Sequence, residues 1–453
     1  MATTKYSHAF FVGSYNGEFN PEQLDDNSWK IERISANGEY KRYSEDWGYN
    51  GLCSIYYKGH LDSMIKADGQ GNVPEFVQPV AHYICDRATE KRKKIRINYN
   101  KWDGTLIEQN NYQLDIVRLH IFIFPLNTII YAIEIDDTGS DLNELTMSHF
   151  LLLTWAWDKG ANTLADDTKS ELSSALQPLD GVAFNNTCAI LKNEGNKLKS
   201  FQCIKVSEEF MNDETLYEIG TSSPIGCVKK NEFLTPSESY FKNIMDENSV
   251  SAFKNWKGLA LMDTFTMLGL EKSFKEDDAN FVYFPLIYIR CLFEKSFCFT
   301  RNSAYRRGEN SEDIEKDISN MERYYFYDSI SYNFLPNLVY KAMAKGLGIK
   351  GEREEITQQI KDRAKVDRET RLKKENDKKE IIENKRNLIG FILAFFAIFS
   401  VAWDLCSMFT TAASVPEGES NTKAVFAIVF IALAIVVITA LFIFYKVRYD
   451  DSK

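Results

Sequence analysis

Residues 388–409 read LIGFILAFFAIFSVAWDLCSMF, and residues 424–445 read AVFAIVFIALAIVVITALFIFY. The first stretch holds a single charge, Asp404, and the second holds none. As a helix each would be about 33 Å long at 1.5 Å per residue, enough to cross a hydrocarbon core of about 30 Å. No other window of the chain is comparable. The sequence therefore predicts a large soluble part followed by two membrane spans, which excludes a polytopic carrier with its substrate site at the bilayer midplane.

Upstream of the first stretch the chain changes character. Residues 352–386 hold 12 Lys/Arg and 10 Asp/Glu, with Ile356, Ile360, Val366, Leu372 and Ile381 sparsely spaced. There is no proline between Pro336 and Pro416, and no glycine between Gly351 and Gly390. The simplest expectation is one helix over 352–408, about 85 Å long. Such a helix has too little apolar surface to stand alone, so a stalk bundled with copies of itself is favoured over an exposed linker.

Charge placement sets the expected orientation. Lys373, Lys374, Lys378, Lys379, Lys385 and Arg386 precede the first span, and Lys446 and Arg448 follow the second. Between the spans lies only Lys423, beside Glu417 and Glu419. The positive-inside rule puts both termini in the cytoplasm and the loop outside, as expected of a multi-pass protein of the inner (plasma) membrane. Residues 1–15 show no apolar leader. The expected division is a cytoplasmic α/β sensing domain over 1–350 and a stalk over 351–387. Spans follow over 388–409 and 424–445, with an outer loop over 410–423 and a tail over 446–453.

The chain of 453 residues has 54 Lys+Arg against 64 Asp+Glu, a net charge of -10, 44% apolar and 13% aromatic residues. That composition excludes a disordered or low-complexity chain. The C-terminal segments together carry about +1, leaving residues 1–351 at about -11, which disfavours direct nucleic-acid binding. Eight cysteines are too sparse for a disulfide scaffold and lack zinc-ligand spacing, so reduced, buried thiols are expected.

Residues 1–350 read as mixed α/β. Two runs dense in Ile, Phe and Tyr, 116–124 and 128–135, meet at Pro125-Leu126-Asn127 and predict a hairpin. Asp136 to Ser140 supplies turn residues and a helix start for 141–157. A second hairpin is expected around Trp102-Asp103-Gly104, between 95–100 and 106–109. Residues 159–179 read as a loop with a short helix, and 201–206 and 259–266 as short strands. Residues 280–299 read as an aromatic-rich helix with Pro285 in its first turns. A hinge followed by a helix is expected over 308–322.

A charge inside a span is functional by default. Stepping along the first span by alternate threes and fours joins Arg386, Gly390, Leu393, Ala397, Ser400, Asp404 and Ser407. That stripe holds most of the small and polar residues, whereas Phe391, Phe395, Phe396, Phe399 and Trp403 suit lipid or the second span. Around an axis of copied helices, Gly390, Leu393, Ala397, Ser400, Asp404 and Ser407 would line a pore. Asp404 would form a metal-attracting carboxylate ring at its outer mouth, and such rings favour cations. The competing readings are helix packing for the small stripe and a headgroup position for Asp404.

An anionic, base-bearing ligand needs positive charge and aromatic faces. The candidates are the basic run Lys91-Arg92-Lys93-Lys94 with Arg96, and the group Asn255-Trp256-Lys257 with Asp263 and Thr264. An exposed strand end and a buried sheet tryptophan are the bland alternatives, and Trp155 and Trp157 read as packing. The five histidines show no metal spacing, and no phosphate-loop, nucleophile-elbow or dinucleotide motif is present. An enzyme is the least supported class, and no cofactor is expected.

As architecture, the whole chain resembles the CorA family of divalent-cation channels. The common plan is a cytoplasmic α/β domain, a stalk helix running into the first span, a short outer loop, a second span and a charged tail. The family's Gly-Met-Asn signature is absent; Asp404-Leu405-Cys406-Ser407-Met408 stands there. The body is similar to the CorA-like proteins encoded beside type III CRISPR systems. The likeness lies at Leu119-His120-Ile121-Phe122-Ile123-Phe124-Pro125, Tyr131-Ala132-Ile133-Glu134-Ile135, Asp141-Leu142-Asn143-Glu144-Leu145, Ile330-Ser331-Tyr332-Asn333-Phe334 and the helix over 340–360. The resemblance implies an α+β cytoplasmic domain, a long stalk helix and two transmembrane helices in a homo-pentamer. It also implies a nucleotide second messenger as ligand, S-adenosyl methionine joined to AMP, whose binding opens the membrane. A constitutive magnesium transporter and a membrane-anchored sensor without a pore are the alternatives.

Overall fold

The structure is a computed structural model that describes residues 6–16, 29–31, 33–34, 40–41, 81–86, 94–101, 103–109, 112–126, 128–137, 141–154, 162–183, 198–230, 235–270, 279–326, 328–330, 334–412, 430, 434 and 437–438. The chain divides into two compact units, Met1–Lys361 and Asp362–Lys453.

The strands of the first unit are β1 (Tyr6–Asn16), β2 (Lys30–Ile31), β3 (Arg33–Ile34), β4 (Tyr40–Lys41), β5 (Ala81–Asp86), β6 (Lys94–Arg96), β7 (Tyr99–Lys101), β8 (Leu106–Ile107), β9 (Gln113–Phe124), β10 (Thr128–Asp137), β11 (Asn162–Leu164), β12 (Lys199–Val206), β13 (Ser249–Val250), β14 (Trp256–Ala260) and β15 (Thr264–Leu270). The helices are α1 (Leu142–Leu153), α2 (Asp166–Ala183), α3 (Asp213–Gly220), α4 (Glu238–Asn248), α5 (Ala279–Arg306), α6 (Ser311–Tyr324), α7 (Phe334–Gly346) and α8 (Ile349–Ala412), the last passing from the first unit into the second.

Ten strands form one sheet in the order β13-β14-β15-β12-β1-β10-β9-β5-β2, with β6 also pairing β9. The β9–β10 hairpin is its spine, with Ile129 opposite Ile123 and Ile133 opposite Leu119. β1 runs antiparallel to both β10 and β12, and β12 pairs β15 in parallel. Every residue of β10 except Asp136 is buried, because helices cover both faces of the sheet. A strand covered on both faces reads as a continuous apolar run rather than an alternating one.

The alternation survives in which layer each side chain meets. Phe10, Val12, Phe122, Phe124, Ala132, Phe201 and Phe265 pack with Phe284, Ile287, Tyr288, Cys291 and Phe293 of α5. Ala9, Phe11, Leu119, Ile121, Ile133, Ile204 and Leu268 pack on the opposite face with Leu145 of α1, Leu172 and Leu176 of α2, and Leu216 of α3. Asp141 caps α1, its carboxylate accepting the backbone N–H groups of Asn143 (2.8 Å) and Glu144 (3.4 Å).

α7 and α8 are separated by Gly346-Leu347-Gly348. Gly348 has φ of +69°, a left-handed conformation that favours glycine. Gly346 touches β14 so closely that a Cβ there would lie 2.6 Å from the Ala260 carbonyl carbon. Leu347, Ile349 and Ile356 are buried in the α5-side core. The first turns of α8 also meet the body at the surface: Arg306 pairs with Glu355, and the Arg353 guanidinium lies 4.6 Å from the Phe326 ring centroid.

The structure corrects several sequence expectations. Residues 159–179 were expected to be a loop with a short helix; among the described ones, β11 and the 18-residue helix α2 take up nearly all of the stretch. The strand expected over 259–266 is two strands, β14 and β15, reversing at Leu261-Met262-Asp263. Helix α1 ends at Leu153, and α5 extends to Arg306 with Pro285 in its second turn. The hairpin around Asp103-Gly104 forms between β7 and β8, while β6 joins the large sheet instead. Trp102, Asn127, Trp155 and Trp157 lie outside the described residues. Cys85, Cys203, Cys227, Cys291 and Cys298 are free, buried thiols.

Candidate functional site

Among the described residues one helix, α8, is long and apolar enough to cross a membrane. It runs for 64 residues, with no break between the charged and apolar stretches. Within the second unit, Gly390, Leu393, Ala397, Ser400 and Asp404 are exposed along the helix. Ser407 is helical, but its side chain lies outside the described residues. On another face, Phe399 meets Phe430 edge-on at 6.1 Å between ring centroids, so an aromatic of the first apolar stretch packs on the second. The rest of residues 424–445, apart from helical positions 434, 437 and 438, lies outside the described residues.

The ligand candidates of the body do not converge. Lys94 and Arg96 are exposed on β6, facing Asp115 and Gln113 of β9, while Arg92 and Lys93 lie outside the described residues. Trp256 is 5% exposed on β14, within the α5-side core. Five strands separate β6 from β14, on the order of 29 Å along the sheet at 4.8 Å per strand. Around Trp256 the polar groups are engaged. The Lys257 ammonium donates to Asp213 at 2.6 Å, the Thr264 hydroxyl donates to the Gly220 carbonyl at 2.6 Å, and Asp263 pairs with Lys199. The backbone carbonyl of Asn255 accepts the N–H of Leu270 at 3.1 Å.

The body also holds a buried polar chain that sequence reading missed. On the α5-side face, His82 Nε2 lies 3.2 Å from His120 Nδ1, and His120 Nε2 lies 2.9 Å from Glu134 Oε2. Glu134 Oε1 accepts from Arg118 at 3.1 Å and sits 3.3 Å from His8 Nε2. His8 Nδ1 meets Asp136, which also accepts the Tyr6 hydroxyl at 3.0 Å. The regular register that runs from the hairpin turn sets Glu134 opposite Arg118, and it shifts only beyond that pair. Burial would raise the Glu134 pKa, but His120, Arg118 and His8 together hold it down to about 2. Burial, reinforced by His120, pulls His82 well below the ordinary histidine value; burial likewise lowers His120 against the pull of Glu134.

These positions give a consistent donor order. Charged Glu134 only accepts, so His120 donates to it from Nε2 and accepts from His82 at Nδ1. The signal in the sequence was parity: Arg118, His120 and Phe122 share one face of β9, as Ala132 and Glu134 do on β10. A second buried pair, Arg290 and Glu294, fixes the helical layer, with the Tyr340 hydroxyl donating to Glu294 at 3.1 Å. No group of three or more histidine, cysteine or carboxylate side chains is placed to hold a metal among the described residues.

No family model, curated protein or solved structure matches this chain.

Proposed function

We propose that the chain is the membrane effector channel of a type III CRISPR antiviral system. In this reading it is a homo-pentamer in the inner membrane, and a nucleotide second messenger of the S-adenosyl methionine–AMP type binds its cytoplasmic body. Binding opens a pore lined by the first apolar stretch, with Asp404 at its mouth. The observation that carries the reading is α8. One helix begins among core side chains, at Ile349 and Ile356, and continues into an apolar stretch bearing a single carboxylate. The Phe399–Phe430 contact supports a paired arrangement of the two apolar stretches.

A ligand can shift such an equilibrium only by its differential affinity for the closed and open forms, and five equal sites multiply a small preference. Ion flux from liposomes holding the purified protein, with and without the nucleotide, tests the proposal. Ligand-dependent flux is expected. A ligand-bound pentamer with no ligand-dependent flux would sink it. Flux without ligand would favour the constitutive transporter, and Asp404→Ala without functional consequence would favour a tether.

A further inference from the structure

Glu355, in the second turn of α8, gathers side-chain donors from two helices. The Arg306 guanidinium of α5 donates to it at 2.5 Å, and the Gln359 amide, one turn further along α8, donates at 3.0 Å. Asn302 of α5, itself 5% exposed, is a third donor, and the bonds from Asn302 and Arg306 hold the Glu355 carboxyl below its ordinary pKa. The Tyr305 hydroxyl closes the same seam by donating to the Gln359 backbone carbonyl at 3.3 Å.

The seam falls at the last turn of α8 that is seated on the first unit. Ile349, Ile356 and Ile360 recur at helical spacing and pack on the α5-side core, with Ile356 fully buried. Every described side chain from Lys361 to Glu383 is exposed. Three isoleucines set how closely the helix lies on its support, but apolar contact has no direction and leaves rotation and sliding cheap. Hydrogen bonds are directional, and those from α5 run to Glu355 and Gln359. α5 also reaches the sheet: Phe293 stacks on Phe124 of β9 at 4.2 Å between ring centroids, while Asn302, Tyr305 and Arg306 of the same continuous helix grip α8. A rigid helix fixed at both ends can carry a displacement from one to the other.

We propose that Glu355 is the positioning residue of α8: it fixes the seat of the helix's first three turns on α5, and through this seam a movement of the sheet reaches α8. The transmission rests on the channel reading, in which that movement opens the pore; the seating does not.

The test is amide hydrogen exchange of the full-length, detergent-solubilised protein. Glu355→Gln and Arg306→Gln should each speed exchange over residues 355–361 about fivefold, the scale of an exposed ion pair, and leave the β9–β10 hairpin at its wild-type rate. Both side chains are substantially exposed, so the variants keep the fold. Arg306→Glu combined with Glu355→Arg should restore slow exchange, which a simple loss of packing would not do. Wild-type exchange in both single variants, or no recovery in the swapped pair, overturns the assignment. In liposomes the single variants should change severalfold the ratio of flux with the S-adenosyl methionine–AMP conjugate to flux without it. An unchanged ratio in a conducting protein overturns the transmission. Faster exchange with no flux from any protein, wild type included, would sink the channel reading and leave Glu355 as the residue that seats α8.

Discussion

His120 and Glu134 meet diagonally across the β9–β10 pair, Nε2 to Oε2 at 2.9 Å, with both side chains almost wholly out of solvent. The carboxylate stays charged there because Arg118 and His8 lie on its other oxygen. Removing the charge should therefore hurt more than losing one hydrogen bond. Glu134→Gln leaves Arg118 without its counter-charge, and a cost of about 3 kcal/mol is expected, read as a lowered thermal midpoint of the body. A midpoint within a degree of wild type would show that the chain of contacts contributes little.

Acid should weaken the body before carboxylates begin to titrate. His149 is buried with Nδ1 2.9 Å from Gln202 Oε1, and burial lowers its pKa from 6.5 to about 4. His82 and His120 are lowered too. The unfolded chain therefore takes up protons first as pH falls below about 6.5, and stability declines until the folded values are reached. For His149 alone the loss should be about 2 kcal/mol by pH 5. A second decline belongs to Glu134, between the ordinary glutamate value of 4.5 and about 2. Midpoints measured at pH 7.5, 6 and 5 should fall steadily; a flat profile contradicts these neutral buried histidines.

The joint before α8 should tolerate no side chain at Gly346. Gly346→Ala puts a methyl against the Ala260 backbone, which cannot rotate away, so about 1–3 kcal/mol of destabilisation is expected. Gly348→Ala meets open space and should cost only about 1 kcal/mol, from its left-handed backbone. Equal effects of the two substitutions would show that backbone conformation, not contact, governs the joint.

On the proposed channel reading, Asp404→Asn should reduce the cation-over-anion permeability of the reconstituted protein severalfold while leaving the body's thermal midpoint unchanged. The measurement is the reversal potential under a salt gradient. An unaltered potential would remove Asp404 from the ion path.

The hairpin and the long helix were legible because each is a local run: apolar on both sides of Pro125, and free of proline and glycine from Glu352 to Ile389. The β14–β15 turn was not, since Leu261-Met262-Asp263 interrupts an apolar run with neither glycine nor proline. Helix α2 was hidden by its polar face and Pro178, although Leu172, Ala175, Leu176 and Leu179 already carried the helical period. The buried chain from His82 to Asp136 could not be read from spacing, because His8 and Asp136 are 128 positions apart and only strand register joins them. For the ligand candidates, the sheet order that keeps β6 and β14 apart was the missing information.

β1 lies between β10 and β12 in the sheet, yet it precedes both in the chain by more than a hundred residues. A ribosome therefore releases the middle strand long before either neighbour exists. Phe10, Phe11 and Val12 must wait, exposed, until β10 and then β12 emerge. Such distant pairing makes folding slow and leaves an adhesive strand uncovered meanwhile. In the cell, the demand on holding chaperones should fall during synthesis of the body, before the apolar half of α8 has left the ribosome.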